Sequence, residues 1–174
     1  MNAMDAIIKR KSIRHFTTEQ IKEEELEQLI HAANAAPISG GGLPDSDSAR
    51  HITVIQNPAL LDTLSTAVSS IIPVPQPFYG APTLLIVSAP QNKYQAEQLD
   101  AALALQNMSI AATSLGLNSV TMNGVIYALN ATASLRQDLD IPENYSPFIA
   151  LAVGYTDDPS VKEQYFHDDN VSYL

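Results

Sequence analysis

Residues 99–124 read LDAALALQNMSIAATSLGLNSVTMNG and combine the signals of a long helix, a strand and a turn. The alanine-rich part predicts a helix over about 95–115, which ends at Gly116 because glycine is common just after a helix C-terminus. Residues 118–122 then predict a strand. The small side chains of the helix favour close packing, either in the core of the domain or against a second subunit, and the core is the simpler interpretation.

Helices and strands alternate through the rest of the chain without a linker or a repeat. Thr17, followed by Gln20, fits a capping box and predicts that a helix begins there. The pattern predicts one domain of the α+β or α/β class over residues 1–174, with helices covering the strands. The further predicted helices are 4–11, 17–35, 58–69 and 131–139, the further strands are 51–56, 83–89 and 147–155, the loops are 37–50 and 71–82, and the polar tail 156–174 ends in a strand-like VSYL.

The composition limits the classes of function. The chain has 174 residues, 45% of them hydrophobic, a formal net charge of −10 and no cysteine. These values fit a folded globular protein and exclude disulfides, thiol nucleophiles and sulfur-ligated zinc. The acidic charge argues against general nucleic-acid binding, and no apolar run reaches the roughly 20 residues that span a bilayer. We therefore expect a cytoplasmic protein that binds neither nucleic acid nor membrane.

Positive charge is concentrated in the N-terminal basic segment, residues 7–16 (IIKRKSIRHF), which holds Lys9, Arg10, Lys11 and Arg14. These are four of the nine Lys and Arg residues in the chain. Such a cluster can be a solvated helix end, where cations favour the negative pole of the helix dipole. If the helical turn continues, however, Arg10, Lys11 and Arg14 share one side and can grip an anion such as a phosphomonoester. We interpret the cluster as an anion-binding site.

Other motifs lack the pattern that their chemistry needs. The glycines at 39–44, SGGGLP, are not followed by the Gly-Lys-Ser/Thr of a Walker loop. DSDS at 45–48 lacks the later glycine and glutamate of a calcium loop, and the four histidines do not show the spacing of metal ligands. We therefore predict no metal site and no catalytic side chain, so a bound cofactor must supply the chemistry.

Several segments resemble the nitroreductase family of flavin mononucleotide (FMN) enzymes. KRKSIRHF at 9–16, followed by a helix ending in HAANAAP, is similar to the family's opening R-x-S-x-R/K segment and the helix after it. FYGAPTLLIVSA, the stretch 99–124 and ALAVGYTDDP resemble its aromatic-x-x-A-P strand, its long helix-strand-turn unit and its closing A-x-x-x-G-Y strand. The order and spacing of these motifs over residues 5–163 carry the resemblance, since each motif alone is weak.

The resemblance implies an α+β fold with a mixed, mainly antiparallel sheet flanked by helices. It also implies a homodimer that binds one FMN in each of two clefts at the subunit interface, with the tail 156–174 packing on the partner. NADH or NADPH would reduce the flavin in a ping-pong reaction, and a small organic acceptor such as a nitroaromatic or a quinone would then take the electrons.

The family motifs assign one group of residues to the FMN phosphate and the pyrimidine edge of the ring. Arg10 and Ser12 are expected to hold the phosphate and the ribityl chain, with Lys11 beside them. Lys162 matches a late basic residue that reaches the phosphate. Arg14 is expected around flavin N1 and O2, where a fixed cation favours the reduced form.

A second group is assigned to the redox-active part of the flavin. Asn123 and Gly124 match the turn whose backbone approaches flavin N5, the atom that receives and donates hydride. Glycine would permit that close approach because it has no side chain. Pro37, Ser39 and Gly40 match the loop that reaches the flavin of the other subunit.

The chain departs from the family around Ser39, where the acidic stretch ISGGGLPDSDSARH replaces the usual Asn and Gln-Pro-Trp. Gln164 stands where a second late cation often lies. These departures affect substrate choice more than the fold. They leave open two alternatives: a flavin enzyme with another reaction, such as a dehydrogenase or a reductive dehalogenase, and a non-catalytic flavin- or anion-binding protein.

Overall fold

The computed structural model describes residues 1–39, 49–91, 95–158, 166 and 169–174. Within these ranges the chain forms a four-stranded sheet and six helices, none of which is long and apolar enough to cross a membrane. In chain order the elements are α1 (Ala3–Lys9), α2 (Glu23–Asn34), β1 (His51–Ile55), α3 (Pro58–Ile71), β2 (Thr83–Pro90), α4 (Glu97–Ser114), β3 (Asn118–Met122), α5 (Gly124–Ala131), α6 (Ala133–Gln137) and β4 (Tyr145–Gly154).

The sheet has the strand order β1-β2-β4-β3, and each neighbouring pair is antiparallel. One further bridge, between Ser12 and Ser119, is parallel and joins the N-terminal basic segment to the outer edge of β3. β2 is buried from Thr83 to Ala89, which explains its continuous apolar sequence. The expected α+β fold with a mixed, mainly antiparallel sheet is therefore confirmed.

Helices cover both faces of the sheet and bury an apolar cluster against each. Side chains alternate along a strand, so Leu84 and Ile86 of β2 point to one face while Leu85 and Val87 point to the other. The first face packs against α3, α5 and α6, and the second packs against α2 and α4. The sheet is thus the middle layer of three, as predicted for strands covered by helices.

α4 lies across the sheet and contacts α1 and α2 as well as the strands. Its small side chains permit this close approach, because Ala101, Ala104 and Ala112 are buried in the second cluster. The interpretation of the alanine-rich helix as a core element is confirmed. Leu99 and Leu103, on the outer side of α4, are 65% and 44% exposed.

α2 begins later than the capping box at Thr17 predicted. Its first residue is Glu23, and the Glu25 carboxylate accepts a hydrogen bond of 2.8 Å from the Lys22 N–H. Thr17 is held elsewhere, because its N–H donates to the Tyr155 carbonyl oxygen at 2.9 Å. A bond to a distant part of the chain therefore outweighs the local capping signal.

The helix predicted at 131–139 corresponds to the shorter α6, and another helix, which was not predicted, precedes it. α5 begins directly at Gly124, where the Asn-Gly pair had indicated only a turn. The buried side chains of α5 pack in the first cluster, and this tertiary contact stabilises a helix whose start looks like a turn. Residues 171–174, which were expected to be strand-like, form no strand.

Candidate functional site

The N-terminal basic segment is fixed to the edge of β3. The Ile13 N–H donates to the Ser119 carbonyl oxygen at 3.1 Å, and the Ser119 hydroxyl lies 2.9 Å from that of Ser109 in α4. Ile13 is buried whereas Ser12 is exposed, as expected for an extended chain whose side chains alternate. α4 and β3 therefore position this segment beside the beginning of α5.

The helical arrangement predicted for the cations is wrong. α1 ends at Lys9, and the Arg10 N–H caps it by donating to the Ala6 carbonyl oxygen at 3.0 Å. Arg10 and Lys11 are half-buried, and Arg14 is exposed. The cations follow an extended chain along the edge of β3, because pairing with that strand ends the helix before the cluster is complete.

Arg14, Asn123 and Gly124 meet at a cavity of about 200 Å³, which we call the Arg14 cavity. The rest of its wall comes from α3, the segment after α3, β3 and the start of α5. A Cβ at Gly124 would lie 3.0 Å from Cδ1 of Ile72, so a larger residue there would require the end of the Ile72 side chain to move. The structure thus brings Arg14 to Asn123 and Gly124, which are adjacent to each other but far from Arg14 in the sequence.

Pro37 and Ser39 lie at a different place, after the end of α2. Asp100 Oδ1 accepts hydrogen bonds from the N–H and the hydroxyl of Ser39, at 2.9 and 2.7 Å. The Arg50 guanidinium donates to the Pro37 carbonyl oxygen at 3.1 Å. α2 and α4 cover the face of the sheet opposite α3 and α5, and neither Pro37 nor Ser39 lines the Arg14 cavity of its own subunit.

No sequence pattern indicated Arg50 or Asp100 as site residues. Both side chains are buried, with 9% and 3% exposure. Burial lowers the pKa of Arg50, and the nearby negative charge of Asp100 acts in the opposite direction. Most of their bonds go to backbone groups of distant elements, which leave no spacing pattern in the sequence. The remaining predicted site residues, Gly40 and Lys162, lie outside the described residues.

Asn123 also borders a second, larger cavity of about 700 Å³. Amide side chains of Gln91, Gln95 and Gln98 line this cavity, together with the ring of Tyr127. Its wall combines the end of β2, the first turn of α4, α5 and the start of β4, so no single motif indicated it. Asn123 therefore borders both the Arg14 cavity, whose wall includes a cation, and a larger cavity lined by amide side chains.

Comparison with known proteins identifies the family of the chain. The chain matches the nitroreductase family over residues 7–155. It belongs to that family. A provisionally named NADH dehydrogenase/NAD(P)H nitroreductase of Archaeoglobus fulgidus is 30% identical over 166 residues, which cover 94% of this chain and 89% of that protein. A Bacillus subtilis protein named FMN reductase, NAD(P)H, is 28% identical over 196 residues, which cover 98% of this chain and 74% of that protein.

A solved structure of a nitroreductase with bound FMN, from Bacteroides fragilis, shares the fold of this nitroreductase-family chain. The TM-score is 0.86 at 24% identity, and the superposition covers 100% of this chain and 99% of that one. The family match over residues 7–155 confirms the resemblance that the N-terminal segment, the 99–124 unit and the closing strand indicated.

Proposed function

We propose that this protein is an FMN-dependent oxidoreductase that takes electrons from NADH or NADPH and passes them to a small organic acceptor. Membership of the nitroreductase family identifies it as an oxidoreductase. The observation that carries the finer proposal is the meeting of Arg14 with Asn123 and Gly124 at one cavity. The name of the Bacillus subtilis relative, which contains both FMN and NAD(P)H, supports the assignment.

The residues at the Arg14 cavity suit the chemistry of FMN. Arg14 offers N–H donors and a positive charge to an acceptor-rich ring edge. Lys11 and Ser12 continue along the same strand edge and offer a cation and a hydroxyl to a phosphate, which carries about −1.5 to −2 charges. The protein has a net charge of −10, and its positive charge is concentrated in this segment. The segment is therefore suited to bind a dianion.

The Arg14 cavity is small, which supports a cofactor cleft formed by two subunits together. Ligand pockets commonly measure roughly 300–1,000 Å³, whereas the Arg14 cavity measures about 200 Å³. Pro37 and Ser39 are not in its wall. A second copy of the chain would complete the cleft, with its own loop of Pro37, Ser39 and Gly40 facing the cofactor that the first copy holds.

Apolar side chains on α1 and α4 are available for such a homodimer. α1 contacts α4. Met4, Ile7 and Ile8 of α1 are 62%, 44% and 48% exposed, and Leu99 and Leu103 of α4 are exposed as well. Contiguous exposed apolar patches commonly mark protein–protein contacts. We place the subunit contact at this surface, and we expect the tail 156–174 to pack on the partner and to add Lys162 to the phosphate site.

The side chains bind and orient the cofactor instead of reacting themselves. Reversible two-electron transfer at the ring is the chemistry that bound FMN supplies. Arg14 would hold a fixed positive charge at the pyrimidine edge, which favours the anionic reduced ring and raises its potential. The Asn123 and Gly124 backbone would border the redox-active edge, and the larger cavity beside Asn123 would admit the nicotinamide and the acceptor in turn.

Anaerobic mixing with NADH or NADPH tests this proposal. The purified protein should be yellow or take up added FMN, and its flavin absorbance should bleach when the nicotinamide is added. A nitroaromatic or a quinone should then restore the absorbance. A protein that binds no FMN contradicts the proposal, and one that binds FMN without bleaching is a non-catalytic flavin-binding protein instead.

A further inference from the structure

Asp100, in the first turn of α4, holds the loop that follows α2. Its Oδ1 accepts the N–H of Ser39 at 2.9 Å and the hydroxyl of Ser39 at 2.7 Å. Asp100 is only 3% exposed, so these charge-assisted bonds form where water competes little with them. Ser39 is therefore attached to α4 at two points.

Arg50 holds the same loop where the loop leaves α2. Its guanidinium donates to the carbonyl oxygens of Ala33, Ala36 and Pro37, the last two at 3.0 and 3.1 Å. The end of a helix leaves such carbonyl groups without partners in the helix. A guanidinium can serve several of them at once because its five N–H donors form a planar fork.

Burying the charges of Arg50 and Asp100 costs free energy, and the end of a helix can normally be capped without buried charges. Burial lowers the pKa of Arg50, and the charge of Asp100 only opposes this effect. A glycine after the helix can satisfy such carbonyl groups without a buried charge, and apolar replacements of buried ion pairs are often neutral or stabilising. The arrangement does more than end α2, because it also fixes the path of Pro37 and Ser39.

We propose that Arg50 and Asp100 are positioning residues of the cofactor cleft. They hold Pro37 and Ser39 in the shape that receives the FMN bound by the other subunit. The inference rests on the proposed function, because it uses the ligand and the dimer of that function. Both side chains are buried and act through their bonds to Pro37 and Ser39, so their loss should reduce FMN affinity while the Arg14 cavity stays intact.

Three variants separate positioning from a general contribution to stability. Asp100→Ala removes both bonds to Ser39, whereas Asp100→Asn keeps the size and an oxygen acceptor. Asn107→Ala is the matched control, because the Asn107 amide donates to the Ala32 carbonyl oxygen at 3.0 Å and so joins α4 to α2 without touching the loop. FMN titration of the full-length protein measures affinity, and thermal unfolding of the FMN-free protein measures stability.

We expect Asp100→Ala to weaken FMN binding about tenfold, the equivalent of one lost charged hydrogen bond. Asp100→Asn should recover most of this loss, and Asn107→Ala should change FMN affinity less than about twofold although it also lowers the unfolding temperature. If Asp100→Ala does not fold, Arg50→Lys gives the same test, because lysine keeps the charge but not the planar fork.

Wild-type FMN affinity in the variant that removes the anchor, Asp100→Ala or in its place Arg50→Lys, overturns the inference. An equal loss of affinity in Asn107→Ala also overturns it, since that variant leaves the loop attached. Wild-type protein that takes up no FMN contradicts the proposed function instead, so the two failures are distinguishable.

Discussion

Gly154, the last residue of β4, lies where any side chain would collide with its neighbours. A Cβ at this position would be 2.9 Å from Cδ of Pro82 and 3.2 Å from Cδ1 of Phe16. The Pro82 ring cannot rotate away, because it is closed on its own backbone. Glycine therefore allows the N-terminal segment, the start of β2 and the end of β4 to come together.

Gly154→Ala is expected to lower the free energy of unfolding by about 1–3 kcal/mol, the usual cost of overpacking. Urea denaturation measures this change. In a Pro82→Ala background the same substitution should cost less, because the obstructing ring atoms are gone. Equal costs in the two backgrounds would show that the strain lies elsewhere.

Arg14→Ala is expected to weaken FMN binding by about 1.5–3 kcal/mol, roughly one to two decades, and to lower the potential of any flavin that stays bound. Arg136→Ala is the control, because it changes the net charge equally on α6, outside the Arg14 cavity. Fluorescence and redox titrations measure the two effects. The same loss in both variants would assign it to the overall charge of the protein and not to a site at Arg14.

At the scale of elements, β2, β3 and α4 lie within a few residues of their predicted bounds. β2 is buried along its length and α4 packs closely on the sheet, and such environments select apolar runs and small residues that are visible in the sequence. The start of α2 and the existence of α5 depend on contacts with distant segments instead. Local signals at Thr17 and at Asn123 could not reveal those contacts.

The residues of the candidate site also fall into two groups, those that the sequence indicated and those that only the structure shows. Composition and charge predicted only an anion-binding segment, and the family motifs supplied the link between Arg14, Asn123 and Gly124. Arg50 and Asp100 could not be predicted, because the backbone carbonyl groups and the serine that they bind carry no marker of their own.

Ser109→Ala tests the connection between α4 and the strand that carries the binding segment. It leaves the buried Ser119 hydroxyl without its partner, which is expected to cost about 1–3 kcal/mol of unfolding free energy. The double variant Ser109→Ala/Ser119→Ala should recover part of this cost, since removing both partners of a buried hydrogen bond can be nearly neutral. A double variant less stable than Ser109→Ala, measured by guanidinium denaturation, would contradict this account.

On the scale of the whole molecule, two features of the surface point to a second copy of the chain. The Arg14 cavity lacks the loop residues that the family motifs assign to the cleft, and the two contacting helices α1 and α4 both expose apolar side chains. A twofold contact through α1 and α4 would bury the apolar surface and bring in the loop.

Leu103→Asp should shift the protein from dimer to monomer in sedimentation velocity, because the contact would bury a carboxylate without a partner. FMN affinity should fall with it, since the cleft loses the partner's loop. Ile71→Asp is the control, because Ile71 has the same 44% exposure as Leu103 but lies at the end of α3. A Leu103→Asp protein that sediments like the wild type would contradict a contact through α4.

β4 is the last strand of the described residues, yet it lies inside the sheet between β2 and β3. While the ribosome is still synthesising the residues before it, β2 and β3 have no neighbour on the edges that will later face each other across β4. Such open edges pair readily with other polypeptides. The nascent chain therefore exposes two unpaired strand edges until β4 has been synthesised, and a chain that stops before Gly154 is expected to aggregate.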